Sequence, residues 1–155
     1  MTTTLTKADP VSYGFALEQV QKSFGVNPQQ AEIMIGYCEY RQLEKKTVLT
    51  EEGEMENYLN MVMSGLVRKY YKKGKNEVTL QLATEGHIIH SEISFLERVP
   101  SPVVVETIEP TTLISLHYSS YLSALENLPG ADKMGRIMLT GKKKKKDERH
   151  FKQLH

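Results

Sequence analysis

The sequence has one cysteine, no tryptophan and no apolar run longer than a few residues, and each scarcity closes off a class of protein. The lone Cys38 cannot pair within the chain, so no disulfide framework is expected and a reducing, cytoplasmic setting is the default. The apolar runs fall far below the roughly 20 residues that span a bilayer, so no membrane span is expected. The first nine residues lack the apolar stretch of a secretory signal. Ten glycines and six prolines in 155 residues exclude a collagen-like chain. What remains, with 39% hydrophobic and 25% charged residues, has the length and composition of one globular domain.

The net charge of +1 hides an asymmetry. After Gly141 come seven basic residues (Lys142 to Lys146, Arg149 and Lys152) against Asp147 and Glu148, a net of +5. Residues 1–141 carry 13 positive and 17 negative charges, a net of −4. A mildly acidic body is not the electrostatic footprint of a nucleic-acid-binding domain. The lysine run reads as a solvated, self-repelling tail, because like charges in sequence resist both helix formation and burial.

The period of the apolar residues changes twice. Phe15, Ala16, Val20 and Phe24 recur at helical spacing and predict a helix over 12–24 that ends at Gly25. Asn27 is a candidate N-cap, with Pro28 at the first helical position. Ala31, Met34, Ile35 and Cys38 then predict a second helix of about three turns, with the thiol as inert packing on its apolar face. From residue 47 the chain breaks into short β-like segments at 47–50, 58–63, 66–72, 77–83, 87–90, 103–108 and 111–116. Gly53, Gly65, Gly74, Gly86, Pro100, Pro102 and Pro110 punctuate them. Val78, Leu80 and Leu82 alternate with Thr79 and Gln81, which places those three in the core together with Val103, Val105, Leu113 and Leu116. Met55, Met61 and Met63 read as core filling. Residues 118–128 predict a further helix, and Met134, Ile137 and Met138 mark one face of a last one. The opening Met1-Thr-Thr-Thr is expected to fray.

The predicted organisation is therefore a single domain: helices over 10–42, a β-rich body over 43–117, helices over 118–141 and a basic tail over 142–155. No long helix interrupts the strands, so the fold class is mainly β with flanking helices (α+β), a small sandwich or barrel rather than βαβ units.

The strand–turn–strand run Tyr58-Leu-Asn-Met-Val-Met-Ser-Gly-Leu-Val-Arg68, the hairpin Lys72-Lys-Gly-Lys-Asn-Glu-Val-Thr-Leu80 and the four spaced turn glycines resemble the cyclic-nucleotide-binding domain of the Crp/Fnr regulator family. The resemblance covers about residues 43–128. It implies a double-stranded β-helix, or jelly-roll-like β-roll, and a non-catalytic sensor role. It also implies a phosphate-binding cassette, a short helix and loop of the form "GE-L-x-x-x-x-x-P-R-S/T-A". In that cassette glycine and backbone N–H groups approach the cyclic phosphate, a glutamate holds the ribose hydroxyl and an arginine neutralises the phosphate.

Here the corresponding stretch is Ser91-Glu-Ile-Ser-Phe-Leu-Glu-Arg-Val-Pro-Ser-Pro-Val103. Glu92 matches the ribose position and Pro100 the loop proline, while Ser91 replaces the glycine, Ser101 stands at the arginine and Pro102 follows it. Serine lacks arginine's bidentate charged fork, and proline lacks a backbone donor. The resemblance thus implies a degenerate ligand site of Gly86, Ser91, Glu92, Ser94, Arg98 and Ser101 that does not bind cyclic AMP or cyclic GMP. Arg98 has two readings, a solvated loop cation or a replacement that swings inward.

The resembled regulators continue into a helix-turn-helix. Fourteen residues follow Gly141, too few for that module, so no specific DNA binding is expected of this chain. Any homodimer through the C-terminal helix is expected to be weak, because the apolar stripe stops at Leu139.

No nucleophile–base arrangement is visible, no enzyme is expected, and no cofactor is implied. A cupin-like metal barrel built from His87, His90, Glu92 and His117 is disfavoured, because residues three apart on a strand point to opposite faces. Two readings stay open: a sensor for a small-molecule ligand of unknown identity, and a structural or protein-interaction β-roll with none.

Overall fold

The computed structural model describes residues 2–4 and 10–127. The element order is β1 (Thr2–Thr4), α1 (Pro10–Phe24), α2 (Pro28–Gly36), β2 (Glu39–Leu43), β3 (Val48–Thr50), β4 (Tyr58–Ser64), β5 (Val67–Lys73), β6 (Asn76–Ala83), β7 (Ile88–Ile89), α3 (Glu92–Glu97), β8 (Val104–Thr107), β9 (Thr111–His117) and α4 (Tyr118–Asn127). Two antiparallel sheets stack as a β-roll, one ordered β1-β2-β9-β4-β7 and the other β3-β8-β5-β6. The last predicted helix and the basic tail lie outside the described residues.

Local chemistry sets the helix starts and the turns. Asn27 caps α2 as the sequence predicts: its side chain accepts the Gln30 N–H at 2.8 Å, and the Gln30 side chain accepts the Asn27 N–H at 3.0 Å. Gly53, Gly65, Gly74 and Gly86 all have positive φ, the left-handed region that glycine enters without a steric cost. Two of them also permit close packing. A Cβ on Gly65 would collide with Thr111 and the Pro110 carbonyl, and one on Gly86 would collide with Gln19 of α1.

The core has two layers because β4 and β9 are buried on both faces. Leu59, Met61, Met63 and Ile114 point toward the helices, where they join Ala16, Val20, Phe24, Ile35 and Tyr121. Val62 and Leu113 point between the sheets, with Val67, Ala83, Ile89 and Val105. Asn60 also faces inward. It is satisfied by donating to the Ile89 carbonyl at 3.2 Å and accepting the Ser115 hydroxyl at 2.7 Å, as a buried amide must be.

Several expectations are corrected. Thr2–Thr4 pairs with β2 through Thr3 and Tyr40, so it is a strand rather than a frayed end. Residues 39–43 form β2, paired with β9, and do not belong to the helical N-terminal region. Cys38 lies beyond α2, where its Sγ donates to the Met34 carbonyl. Burial pushes its thiol up to about 12. Met61 and Met63 fill the core, but Met55 is exposed.

The largest error concerns β6. Val103, Val105 and Leu113 are buried, but Leu116, Val78 and Leu80 are only half-buried and Leu82 is 55% exposed. The pairings Lys69↔Gln81 and Val67↔Ala83 put Gln81 and Ala83 on the inner face, which turns Leu82 outward opposite Arg68. A register shift between Lys69 and Tyr70 then breaks the alternation across the strand. One extra residue moves every later side chain to the other face.

These burials fix the expected cost of truncation. Leu113→Ala should lose about 2–5 kcal/mol in denaturant unfolding, whereas Leu82→Ala should change stability by about 0.5 kcal/mol or less. A large loss at Leu82 would contradict its outward orientation.

Candidate functional site

The cassette hangs between β7 and β8. Ser91 precedes α3 in extended conformation, α3 makes fewer than two turns, and Arg98 closes it in the left-handed region at φ 56°. Phe95, wholly buried, anchors α3 by edge-on contacts with His90 at 5.2 Å and with Tyr118 and Tyr121 at 5.3 Å each. These rings fix the helix against the start of α4.

The site is organised by a residue that the sequence reading did not single out. Glu56, in the loop 51–57, is 2% exposed. One carboxylate oxygen accepts the Ser91 N–H at 2.9 Å. The other accepts the Thr50 hydroxyl at 2.9 Å and the Tyr58 N–H at 3.3 Å. Its own N–H donates to Ser94 Oγ at 2.8 Å, and its carbonyl accepts Arg98 Nη1 at 2.8 Å. Burial raises the Glu56 pKa, opposed by the donors from Ser91, Thr50 and Tyr58 and by the charge of Arg41. No local pattern betrays this glutamate, since its partners on the cassette lie 35 to 42 residues away.

Ser101 stands where the resemblance places the phosphate-binding arginine. It is buried, with its hydroxyl 2.8 Å from Ser91 Oγ and 2.7 Å from the Val103 carbonyl, and it accepts the Val103 N–H at 3.1 Å. Its backbone is tied as firmly: the N–H donates to the Glu54 carbonyl and the carbonyl accepts the Gly53 N–H, both at 2.7 Å.

Arg98 is anchored within the protein. Its guanidinium donates to the carbonyls of Glu56 and Phe95 and to Asn57 Oδ1, and it stacks 3.8 Å from the centre of the Tyr118 ring. The sequence reading lacked a reason for this because Tyr118 and Asn57 are remote in sequence.

The structure brings Ser91, Ser94, Arg98 and Ser101 together around Glu56 and the loop 51–57. Glu92 begins α3 and is half-buried. Gly86 sits apart from this cluster, in the β6–β7 turn, where it donates to the Val62 carbonyl and faces Gln19.

Inside the roll, Lys69 of β5 lies on the inner face opposite Val105 and Gln81 and donates to the His90 carbonyl at 3.2 Å. It too was missed, because a lysine in a strand is ordinarily read as solvated. His90 is buried and His87 exposed, with His87 Nδ1 accepting the Thr84 N–H. Among the described residues no three His, Cys, Asp or Glu side chains are grouped to hold a metal, and no helix is long and apolar enough to cross a membrane.

Residues 40–127 match the family profile described as cyclic nucleotide-binding domain. The chain belongs to that family. The fold is mainly antiparallel β-sheet with flanking helices, and the relatives it matches include regulators of the Crp type. A cyclic AMP receptor protein of Thermus thermophilus is 26% identical over 106 residues, covering 68% of this chain and 49% of that protein. The chain thus spans about half the length of that relative.

The crystal structure of the Thermus thermophilus catabolite activator protein superposes with a TM-score of 0.70 at 24% identity, covering 81% of this chain and 59% of that one. A cyclic nucleotide-binding domain from Methylobacillus flagellatus gives 0.72 at 19% identity, with 86% and 81% covered. The sensor domain of the transcriptional regulator DNR from Pseudomonas aeruginosa gives 0.70 at 15% identity, with 93% and 94% covered. At these identities the structures speak for the fold.

The raised pKa of Glu56 has a direction that can be measured. The folded protein holds the Glu56 proton more tightly than the unfolded chain does. The associated stability is therefore fully present below the unfolded carboxylate value of about 4.3 and is lost as pH rises through the raised folded value. Glu56→Gln should remove that decline from a stability–pH profile. Glu56→Ala strands three donors, and should cost at least about 1–3 kcal/mol for the first unsatisfied one. A Gln variant with the wild-type slope would contradict the assignment.

Proposed function

We propose that this chain is a non-catalytic sensor or regulatory domain whose cassette does not hold cyclic AMP or cyclic GMP. The observation that carries the reading is the state of the two residues on which phosphate binding would depend. Ser101 offers no charge, and its hydroxyl is engaged with Ser91 and Val103. Arg98, three residues earlier, has its guanidinium committed to Glu56, Phe95, Asn57 and the Tyr118 ring.

A cyclic phosphate brings one negative charge, which if buried must be paired or bear a desolvation cost of several kcal/mol. Recruiting Arg98 would break three hydrogen bonds and a stacking contact. Pro102 also withholds a backbone donor from the loop. Loss of a bidentate charged pair at about 1.5–3 kcal/mol per charged hydrogen bond corresponds to about a hundredfold or more in affinity.

The cassette polar groups described above find partners within the protein, which equally favours the reading of a β-roll that works through a protein surface with no small-molecule ligand. In either form the chain acts through a partner surface. The substitution of Ser91 for the cassette glycine fits both forms, since its hydroxyl bridges to Ser101.

Titration calorimetry of the full chain with cyclic AMP and cyclic GMP should show no saturable heat in the micromolar range. A micromolar Kd with either nucleotide would overturn the proposal. If that affinity vanished in Arg98→Ala, the phosphate charge would have moved to Arg98 instead of being lost.

A further inference from the structure

Arg98 occupies a backbone conformation that opposes its size. Its φ of 56° and ψ of 51° are left-handed, a geometry that glycine or asparagine adopts with less strain at a helix end. A bulky side chain persists there when its surroundings over-determine it.

Those surroundings come from three elements. Nη1 donates to the Glu56 carbonyl at 2.8 Å and to the Phe95 carbonyl at 3.2 Å, and Nη2 donates to Asn57 Oδ1 at 2.8 Å. The guanidinium carbon lies 3.8 Å from the centre of the Tyr118 ring. Glu56 and Asn57 belong to the loop 51–57, Phe95 to α3, and Tyr118 opens α4. The Asn57 carbonyl also accepts the Tyr118 N–H at 2.8 Å, so loop and helix meet beside the guanidinium. The same loop is laced to the far side of the cassette through Gly53, Glu54 and Ser101.

We propose that Arg98 is a positioning residue that ties the cassette, the loop 51–57 and the first turn of α4 into one cooperative unit. The two loops and the first turn of α4 then open together. The proposal stands whether or not any ligand binds. It rests on the guanidinium's geometry: a planar fork donates in two directions in its plane while its face stacks on an aromatic ring. A lysine ammonium, a point charge, makes these contacts less completely.

Native-state hydrogen exchange of the full chain tests it. Arg98→Gly eases the backbone and removes the fork. In that variant the amides of Gly53, Ser101 and Tyr118 should exchange about tenfold or more faster, and together, while amides of α1 and α2 keep their protection. Arg98→Lys should fall between the glycine variant and the wild type. In a double-mutant cycle, Arg98→Lys and Tyr118→Leu should be non-additive. Acceleration of Gly53 and Ser101 with wild-type protection at Tyr118 would overturn the proposal, as would additive effects in the cycle. If Arg98→Gly fails to fold, the lysine variant and the cycle decide the question alone.

Discussion

A carboxylate buried beneath the cassette is the constraint on which the rest of the site depends. Glu56 enters a nearly water-free position, and burial alone would disfavour its charge. The donors gathered on it come from β3, from the entry to β4 and from the residue that precedes α3. A buried acceptor with this many obligations leaves little freedom to the segments that supply them. The position of α3 and the path of the loop 51–57 follow from one side chain, and the backbone N–H of the same residue orients Ser94.

That arrangement explains how the β-roll tolerates its unusual cassette. Ser91 and Ser101 bring two hydroxyls into a buried corner, where each needs a partner. They bridge to one another, and Ser101 also bonds the Val103 backbone. Arg98 is held by two carbonyls, the Asn57 side chain and an aromatic face. The hydroxyls of Ser91 and Ser101 and the Arg98 guanidinium thus find partners inside the protein. Membership of the cyclic nucleotide-binding domain family describes the ancestry of this geometry.

The inside of the roll carries the same lesson. Asn60, Ser115, Lys69 and Gln81 face a space between two sheets that a purely apolar core would fill with aliphatic side chains. Asn60 and Ser115 satisfy one another across paired strands, and Lys69 and Gln81 donate to the carbonyls of His90 and Ile88 around β7. The short strand β7 is thereby held by side chains as well as by its two backbone pairings with β4.

The sequence by itself determined the succession of helices, short strands and positive-φ turns. Those features are written in local chemistry: apolar spacing, the Asn27 cap and the glycines at the turns. The strands β3 to β9 were legible to within a few residues, and the family resemblance pointed to the stretch 91–103 as the cassette. Tertiary structure decided the rest. The inward face of β6 depends on a register shift against β5 that no alternation reveals, so Leu82 points to solvent and Gln81 to the interior. Strand β2 exists because β9, far along the chain, offers it a paired edge. Glu56, Lys69 and the anchored Arg98 acquire their roles from partners about 20 to 42 residues distant. A sequence pattern records the periodicity of one element, whereas desolvation and hydrogen-bond satisfaction are settled only where several elements meet.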